Sequence, residues 1–409
     1  MQTYLVGGAV RDKLLQRPIT DRDWVVVGGT SEKMLAQGYQ AVGADFPVFL
    51  HPKTKEEYTL ARIEQKVAAG YNGFSCDASS DVSLEDDLLR RDLTINAMAM
   101  DDDGNIIDPY NGQQDLKDKL LRHVSDAFTE DPLRVLRVAR FAARYHNLGF
   151  KIAPETMTLM QSIVADGELS ALSAERVWQE TARALLETHP EVYFENLRAC
   201  DALAVWMPEL DKLWGIPNPP KWHPEIDTGI HTMMVLQQAV LLSDKLTVRY
   251  ASLVHDLGKG LTPAGSWPSH QGHEKLGLSA INELSDRLKA PNDCRELGLM
   301  MSEYHTHLHR AFELKASTIL NMLNRCDVWR KPQRFADFLL ACEADAKGRT
   351  GFENNEYKNA EYIWQAYKVA LGVDIKAIVA SGYQGQAIKQ QTEQQRISVI
   401  QSFKNSYNK

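Results

Sequence analysis

The sequence predicts an α+β fold, with a small mixed α/β head at the N-terminus followed by an all-helical neck/body, a further helical module and a helical tail. Three observations carry this. Strand-like apolar runs are confined to the stretch between Tyr4 and Arg62, 3.6-residue apolar spacing takes over from Asp115, and a cluster of prolines interrupts the helical part between Ile216 and Pro224.

In the head, short runs rich in Val, Tyr and Phe predict strands over 4–6, 24–27, 48–51 and 57–62, with a helix over 31–37 between the second and third. The stretch 67–87 contains Gly70-Tyr71-Asn72-Gly73 and Ser79-Ser80, lacks periodicity, and reads as a mobile loop of the kind that gates a neighbouring site. Beyond Asp115, Leu133, Leu136, Val138 and Phe141, then Met157, Met160, Ile163 and Val164, repeat at helical spacing. Pro217, Pro219, Pro220 and Pro224 cannot continue a helix, so a new module is expected to begin there. The polar stretch 384–409 is expected as a solvated helix.

A chain of 409 residues exceeds one ordinary core, and roughly two to four domains are expected. The net charge of -8 argues against a generally basic nucleic-acid wrapper but leaves room for a local basic surface. Five cysteines, Cys76, Cys200, Cys294, Cys326 and Cys342, are scattered without a Cys-x-x-Cys pair, which disfavours a disulfide framework and a structural zinc site. No apolar run approaches the roughly 18 to 20 residues of a membrane span, so a cytoplasmic protein is expected.

The most informative stretch is the first. A strand ending at Val6 runs into Gly7-Gly8 and a helix carrying Arg11 and Asp12, an arrangement whose free backbone N–H groups can face a triphosphate. In the next strand Asp21 and Asp23 are two residues apart and are expected to project from one face, where two hard oxygen ligands suit Mg²⁺. Each feature alone is ordinary turn chemistry; their adjacency makes them a candidate site. Arg90-Arg91-Asp92 could clamp phosphate oxygens, with Asp92 and Asn96 orienting the clamp. Pro132 in a first helical turn follows Glu130-Asp131, and Asp131, Arg134 and Arg137 recur at three-residue steps. A carboxylate accepts from the exocyclic amine that cytosine and adenine share, and a guanidinium donates to a ring acceptor, so Asp131 with Arg134 could imitate a complementary base. On spacing alone a helix-surface ion pair is the commoner reading.

Taken together, Gly7-Gly8-x-x-Arg11-Asp12, Asp21-x-Asp23, Arg90-Arg91-Asp92 and Glu130-Asp131-x-x-Arg134 with Arg137 and Arg140 resemble, in order, the motifs of bacterial class II CCA-adding tRNA nucleotidyltransferases of the DNA polymerase β superfamily. The resemblance spans the whole chain. It implies a polymerase β-like head, Mg²⁺ on Asp21 and Asp23, contacts to the incoming nucleotide from Gly8, Arg11, Arg91, Arg137 and Arg140, and selection of CTP or ATP by Asp131 and Arg134. The implied reaction is attack of a tRNA 3′-hydroxyl on a nucleotide α-phosphate with release of pyrophosphate. The superfamily commonly uses a third carboxylate, for which Glu57 is the candidate. The tRNA is expected along the helical middle and tail.

A second constellation follows the prolines: His231, His255-Asp256-Leu257-Gly258-Lys259, His273, His305 and Asp345. Adjacent His255 and Asp256 end an apolar run and can reach one metal, with His231 and Asp345 completing its shell. His273 and His305 are candidates for substrate phosphate or a second metal. His270, His307 and His309 are expected at the surface, and His51, His123, His146 and His189 belong to no constellation. This part resembles an HD-domain phosphohydrolase, which implies a divalent transition metal, Ni²⁺ among the candidates, and hydrolysis of phosphate monoesters and 2′,3′-cyclic phosphates. The expected division is a nucleotidyltransferase head over 1–140, a neck/body over 141–222, an HD domain over 223–346 and a tail over 347–409. Two other readings stand beside this one: a poly(A) or partial CC- or A-adding polymerase, and an HD phosphohydrolase whose N-terminal part only binds RNA or nucleotide. Retention of Asp21, Asp23 and Arg91 weighs against the latter.

Overall fold

The N-terminal sheet is built from short strands whose alternation sends Val6 and Val25 to one face and Val26 to the other. In a computed structural model that describes residues 1–42, 48–66, 74–77 and 79–407, β1 (Gln2–Val6) runs into α1 (Gly8–Leu14) and returns as β2 (Asp23–Val27); α2 (Ser31–Ala36) leads to β3 (Gln40–Val42), β4 (Val48–Leu50) and β5 (Glu57–Leu60). A hairpin of β6 (Ile63–Lys66) and β7 (Phe74–Asp77) stands apart, and after α3 (Leu84–Leu89) come β8 (Ala99–Met100) and β9 (Ile106–Ile107). The main sheet has the order β3-β4-β5-β2-β1-β8-β9, antiparallel except where β2 runs parallel to β5. One face packs Val6 and Val25 against Leu84 and Leu88; the other packs Val26 against Met34, Phe49 and Tyr58.

Helices then dominate. α4 (Gly112–Asp118) approaches the chain at Thr94 so closely that a Cβ on Gly112 would lie 2.3 Å from the Thr94 carbonyl oxygen. The strands β10 (Leu120–Leu121) and β11 (Lys151–Ile152) pair in parallel on either side of α5 (Leu133–Tyr145), which is buried on nearly every side. α6 (Pro154–Ala165) starts with proline at its first turn, where no N–H is needed. α7 (Ala174–Leu185), α8 (Pro190–Ala199), α9 (Ala202–Trp206) and α10 (Pro208–Asp211) follow. The chain forms two units, one of Met1–Ala184 with Val192–Val205, the other of Leu185–Glu191 with Trp206–Lys409.

In the second unit the proline-rich stretch closes on itself. The Asn218 N–H donates to the Ile226 carbonyl and the Thr228 hydroxyl to that of Ile216, forming a strap ahead of α11 (Thr228–Leu242), whose first turn is capped by Asp227. α12 (Leu246–Val254), α13 (His273–Leu288), α14 (Asn292–His309), α15 (Ala316–Arg325), α16 (Pro332–Lys347), α17 (Lys358–Leu371), α18 (Ile375–Ala380) and α19 (Gln386–Tyr407) complete the unit. Its core joins Val248, Met301, Leu323, Phe335, Phe338, Tyr362 and Ile400.

The α+β prediction holds, and strands expected over 4–6, 24–27, 48–51 and 57–62 are found within a few residues. Two readings change. The stretch 67–87 is not one loop: residues 67–73 and 78 lie outside the described residues, while β7 pairs within it and α3 is a helix with a Ser83/Asp86 capping box. The tail helix is not wholly solvated, because Ile400 is buried and Phe403 packs on Tyr362. Among the described residues no helix is long and apolar enough to cross a membrane.

The 3₁₀ turn Leu257–Leu261 is pressed against the start of α13. A Cβ on Gly258 would meet the His273 carbonyl oxygen at 2.0 Å and the Gly277 nitrogen at 2.5 Å, and both are helix backbone that cannot rotate away. Gly258→Ala is therefore expected to destabilise the second unit by about 1–3 kcal/mol. A urea titration reads this, and an unchanged midpoint would contradict the close packing.

Candidate functional site

In the first unit, Gly7 ends β1 at φ 68°, a conformation that favours glycine. A Cβ there would sit 2.8 Å from Arg91 Nη1, so the glycine also makes room for that guanidinium. β2 begins at Asp23, not Asp21 as the sequence reading placed it; Asp21 precedes the ladder by two residues. Asp23 pairs with Val6 on one side and Glu57 on the other, and in-register partners share a face, so Glu57 stands beside Asp23. Loss of water around Asp23 raises its pKa; Arg91 opposes the shift and Asp21 adds to it. Asp21, Asp23 and Glu57 are thus gathered around the exposed starts of β2 and β5, and carboxylates are the hard oxygen donors that suit a divalent cation.

Behind them runs a chain of buried ion pairs. Asp92 Oδ1 accepts from Asn96 Nδ2 (2.9 Å) and Asp92 Oδ2 from Arg137 Nε (2.8 Å). Asn96 Oδ1 in turn accepts from Arg11, whose guanidinium forks onto Asp12 (2.9 and 3.1 Å) and lies over the Phe141 and Tyr145 rings. Burial pushes the Asp92 carboxyl up, but Arg137 and Asn96 outweigh it and hold it well below the usual range. Asp87, wholly buried, is pushed up by burial and brought below its ordinary value by Arg90 and Arg91, which it binds at 2.9 and 3.2 Å. Arg140 donates to Glu180 (2.6 Å).

The Arg134 N–H donates to the Asp131 carbonyl (3.0 Å), while their side chains reach other partners. Asp131 lies before α5 in extended conformation, accepting from the Leu133 N–H and from Arg176 (2.8 Å). Arg134 donates to the Ala127 and Arg90 carbonyls, both at 2.6 Å. Asp87, Arg176 and Glu180 were missed by sequence reasoning, because charged residues at helical spacing look like solvated surface until the fold buries them.

In the second unit, α11, the end of α12, α13, α14 and α16 converge their histidines and aspartates. His255 Nδ1 lies 2.8 Å from the Ser252 carbonyl and must donate to it, and its Nε2 lies 3.2 Å from Asp256 Oδ2. His231 Nδ1 faces the Gly348 carbonyl (2.9 Å) and Glu225 (3.0 Å), so its Nε2 lone pair meets Asp345 Oδ1 at 3.1 Å. His273 and His305 likewise donate Nδ1–H to the His270 and Met301 carbonyls, and their Nε2 atoms lie 3.4 Å apart, facing Asp256 Oδ1 at 3.5 and 3.7 Å. Two sets of three, His231/His255/Asp345 and Asp256/His273/His305, could each hold a metal ion. His255 Nε2 and Asp256 Oδ1 are buried without a hydrogen bond, as ligand atoms would be. Burial pulls the His305 pKa down to about 3, so its imidazole is neutral. Asp256 keeps its second oxygen on Lys259 (2.7 Å), which Asn218 of the strap also holds (2.9 Å).

Two expected surface histidines are interior. His270 is buried between Thr262 and the Pro217 carbonyl, each 2.8 Å away, where it ties the strap to the site. His309 binds Asp345 Oδ2 at 2.6 Å and the Tyr357 hydroxyl at 2.9 Å. His307 is half-buried against Tyr304. The strap also brings His223 and Glu225, which the sequence did not single out. Burial lowers the His223 pKa to about 4, so neutral His223 donates Nδ1–H to Glu225 Oε1 (2.9 Å), the same oxygen that faces His231.

A carboxylate behind a ligating histidine fixes its ring and raises its basicity. Glu225→Ala is therefore expected to weaken divalent-metal binding at His231/His255/Asp345 by about 10–100-fold. Isothermal titration with Ni²⁺ measures this; an unchanged Kd would mean that the Gly348 carbonyl alone suffices.

Comparison with known proteins accords with this geometry. The Poly A polymerase head domain model matches residues 3–122, the model described as a probable RNA and SrmB-binding site of polymerase A matches 149–213, and the HD domain model matches 228–328. The chain is 69% identical over 400 residues to the multifunctional CCA protein of Pseudoalteromonas atlantica, covering 98% of this chain and 99% of that one. It is 59% identical to the protein of the same name from Hahella chejuensis, covering 99% and 96%. Among solved structures, a CCA-adding enzyme in an apo form matches with TM-score 0.65 at 19% identity, covering 98% of this chain and 88% of that one. The Thermotoga maritima CCA-adding enzyme complexed with tRNA matches with TM-score 0.64 at 18% identity, covering 99% and 91%. At such identities the structures speak for the fold alone. With one constellation of acids and arginines in the first unit, one of histidines and aspartates in the second, and full-length relatives well above half identical, the chain belongs to the multifunctional CCA protein family.

Proposed function

We propose that this chain adds C, C and A to tRNA 3′ ends from CTP and ATP without a nucleic-acid template, and that its second site hydrolyses phosphate monoesters and 2′,3′-cyclic phosphates. The observation that carries the first part is the carboxylate edge of Asp21, Asp23 and Glu57 beside Gly7 and Arg91, in a chain whose full-length relatives bear the multifunctional CCA name. Asp21 and Asp23 would hold Mg²⁺, which lowers the pKa of the attacking hydroxyl and neutralises the leaving pyrophosphate. Arg91, held by Asp87, offers its remaining donors to phosphate oxygens beside the Gly7-Gly8 turn. Arg11, Arg137 and Arg140 are each tied to a carboxylate, and in this reading they stiffen the nucleotide platform from behind.

Asp131 and Arg134 select the base. Asp131 would accept from the exocyclic amine of cytosine or adenine while Arg134 donates to a ring acceptor, and each would exchange a bond to Arg176 or to a backbone carbonyl for one to the base. Guanine and uracil present the reverse pattern and would leave buried polar groups unpaired. The tRNA would follow the helical middle and tail, and we assign the head to 1–140, the neck/body to 141–222, the HD domain to 223–346 and the tail to 347–409.

In the second site, His231, His255 and Asp345, with Asp256, His273 and His305 alongside, would hold a divalent transition metal such as Ni²⁺, which supplies a bound water acidic enough to attack phosphorus. Lys259 and Arg349 face the same cavity and would neutralise the phosphate. The two activities combine chemically, since a 3′ end blocked by phosphate has no free hydroxyl with which to attack a nucleotide.

Two measurements test this. With a tRNA ending before CCA, the chain is expected to add two C and one A when CTP and ATP are both present, and Asp21→Ala/Asp23→Ala to add none. Runs of A would instead identify a poly(A) polymerase; no incorporation alongside continued phosphate-ester cleavage would leave the hydrolase as the activity. Separately, a tRNA ending before CCA in a 2′,3′-cyclic phosphate should be extended by the intact chain but not by His255→Ala/Asp256→Ala, while both extend tRNA with a free hydroxyl. Extension of the blocked tRNA by the variant would refute the coupling.

A further inference from the structure

The second site does not end at its metal-ligating residues. Its cavity, about 150 Å³ and lined by Asp256, Lys259, His273, His305, Asp345 and Arg349, adjoins another of about 200 Å³ lined by Phe352, Asn355 and Tyr357. His309 and Arg349 line both. Arg349 follows Asp345 by one helical turn and lies 3.6 Å from it through Nη2, while its Nε is buried without a hydrogen bond. Its guanidinium lines both cavities, and the N–H groups of a guanidinium suit an anion at the junction. His309 bridges the cavities physically, with Nε2 on Asp345 and Nδ1 on the Tyr357 hydroxyl.

The wall of the outer cavity is a folded loop. Phe352 N–H donates to the Arg349 carbonyl and Asn355 N–H to the Phe352 carbonyl, two successive turns that Gly351 permits at φ 85°. They place Phe352 in the wall together with Asn355, whose amide carries both donors and acceptors. A half-buried aromatic face beside an adaptable amide suits a planar heterocycle, which stacks on the first and hydrogen-bonds to the second. A phosphate held at Arg349 and the inner cavity would leave its ester-linked nucleoside pointing outward, where that wall stands.

We propose that the Phe352/Asn355 cavity is the nucleoside subsite of the second active site, binding the ribose and base of a nucleoside 2′,3′-cyclic phosphate or phosphate monoester while Arg349 grips the phosphate. The proposal rests on the phosphohydrolase reading above. It makes Phe352 a specificity residue: the ring adds affinity for nucleotides and none for phosphate esters lacking a base.

The test compares 2′,3′-cyclic AMP with p-nitrophenyl phosphate, using the full chain loaded with Ni²⁺. Phe352→Ala is expected to raise KM for the nucleotide about tenfold, the order expected for one lost base-stacking contact. The kcat for the nucleotide and both constants for p-nitrophenyl phosphate should stay unchanged, and Phe352→Tyr should behave as the intact chain. Because the baseless ester reports a folded, metal-loaded site, equal losses on both substrates, or no change on either, would overturn the subsite. Cleavage of neither substrate by the intact chain would overturn the phosphohydrolase reading and the subsite with it. An RNA oligonucleotide ending in a 2′,3′-cyclic phosphate separates the sources of the nucleoside. The same Phe352 effect on the oligonucleotide assigns the subsite to RNA ends, and an effect confined to the mononucleotide assigns it to free nucleotides; either result supports the subsite.

Discussion

The first unit depends on a carboxylate that cannot be left unpaired. Asp92 is buried where the 3₁₀ turn Thr94–Asn96 meets α5, and an ionised carboxylate in such a place costs several kcal/mol unless hydrogen bonds and an opposite charge offset it. Both oxygens are used: one reaches through Asn96 to Arg11 of α1, the other binds Arg137 of α5. The pairing therefore fixes where the helix after β1 stands relative to the helix after Asp131. Those two elements carry the Gly-Gly turn and the Asp131/Arg134 pair, so the distance between the two is set by buried electrostatics rather than by the sheet alone. Arg11 and Arg137, expected at the nucleotide, each hold a carboxylate, Arg11 buried and Arg137 half-buried.

The second unit solves a different problem with the same physics. His231, His255, His273 and His305 turn Nδ1 to backbone carbonyls, so their Nε2 atoms converge on one another and on aspartate oxygens. Lone pairs packed this closely in a buried space repel one another unless a cation lies among them. Burial lowers the His305 pKa to about 3, so the ring is neutral across the physiological range. Lys259 offsets part of the negative charge of Asp256, and Asn218 of the strap holds Lys259 in place. The prolines are thus more than a break between modules: they stiffen the segment that positions Asn218, His223 and Glu225 around the site.

How far the sequence carried this reading follows from which forces were local. The β1-Gly-Gly-α1 unit, the strand after Asp21 and the prolines are legible because glycine, strand alternation and proline act on their immediate neighbours. His255-Asp256 was legible because the two groups are adjacent. By contrast, Asp87, Arg176 and Glu180 look like solvated charges on amphipathic helices, and only packing reveals that Asp87 and Glu180 each neutralise an arginine while Arg176 neutralises Asp131. His309 was misread for the same reason. Within His305-x-His307-x-His309 nothing local says that the third member meets Asp345, thirty-six residues away, while the second stays beside Tyr304. Arg349 did leave a local signal, its four-residue spacing from Asp345, but one such spacing on a helix is too common to single out.

The two sites differ in exposure, and the difference follows from what each must admit. Asp21, Asp23 and Glu57 lie exposed at strand starts, open to water. Exposed carboxylates need no permanent cation to remain stable, because water solvates them. The second constellation is buried to within a few percent at His231, His255, Asp256 and Asp345, and two of its atoms, His255 Nε2 and Asp256 Oδ1, lack a hydrogen bond. Such a site is strained when empty and gains stability from a resident metal, because binding free energy adds to folding free energy. The acids of the first unit are exposed and the imidazoles and carboxylates of the second are buried, which places the demanding part of the fold in the second unit. There the close packing at Gly258 and the hydrogen-bonded strap supply the rigidity that a preformed cage requires.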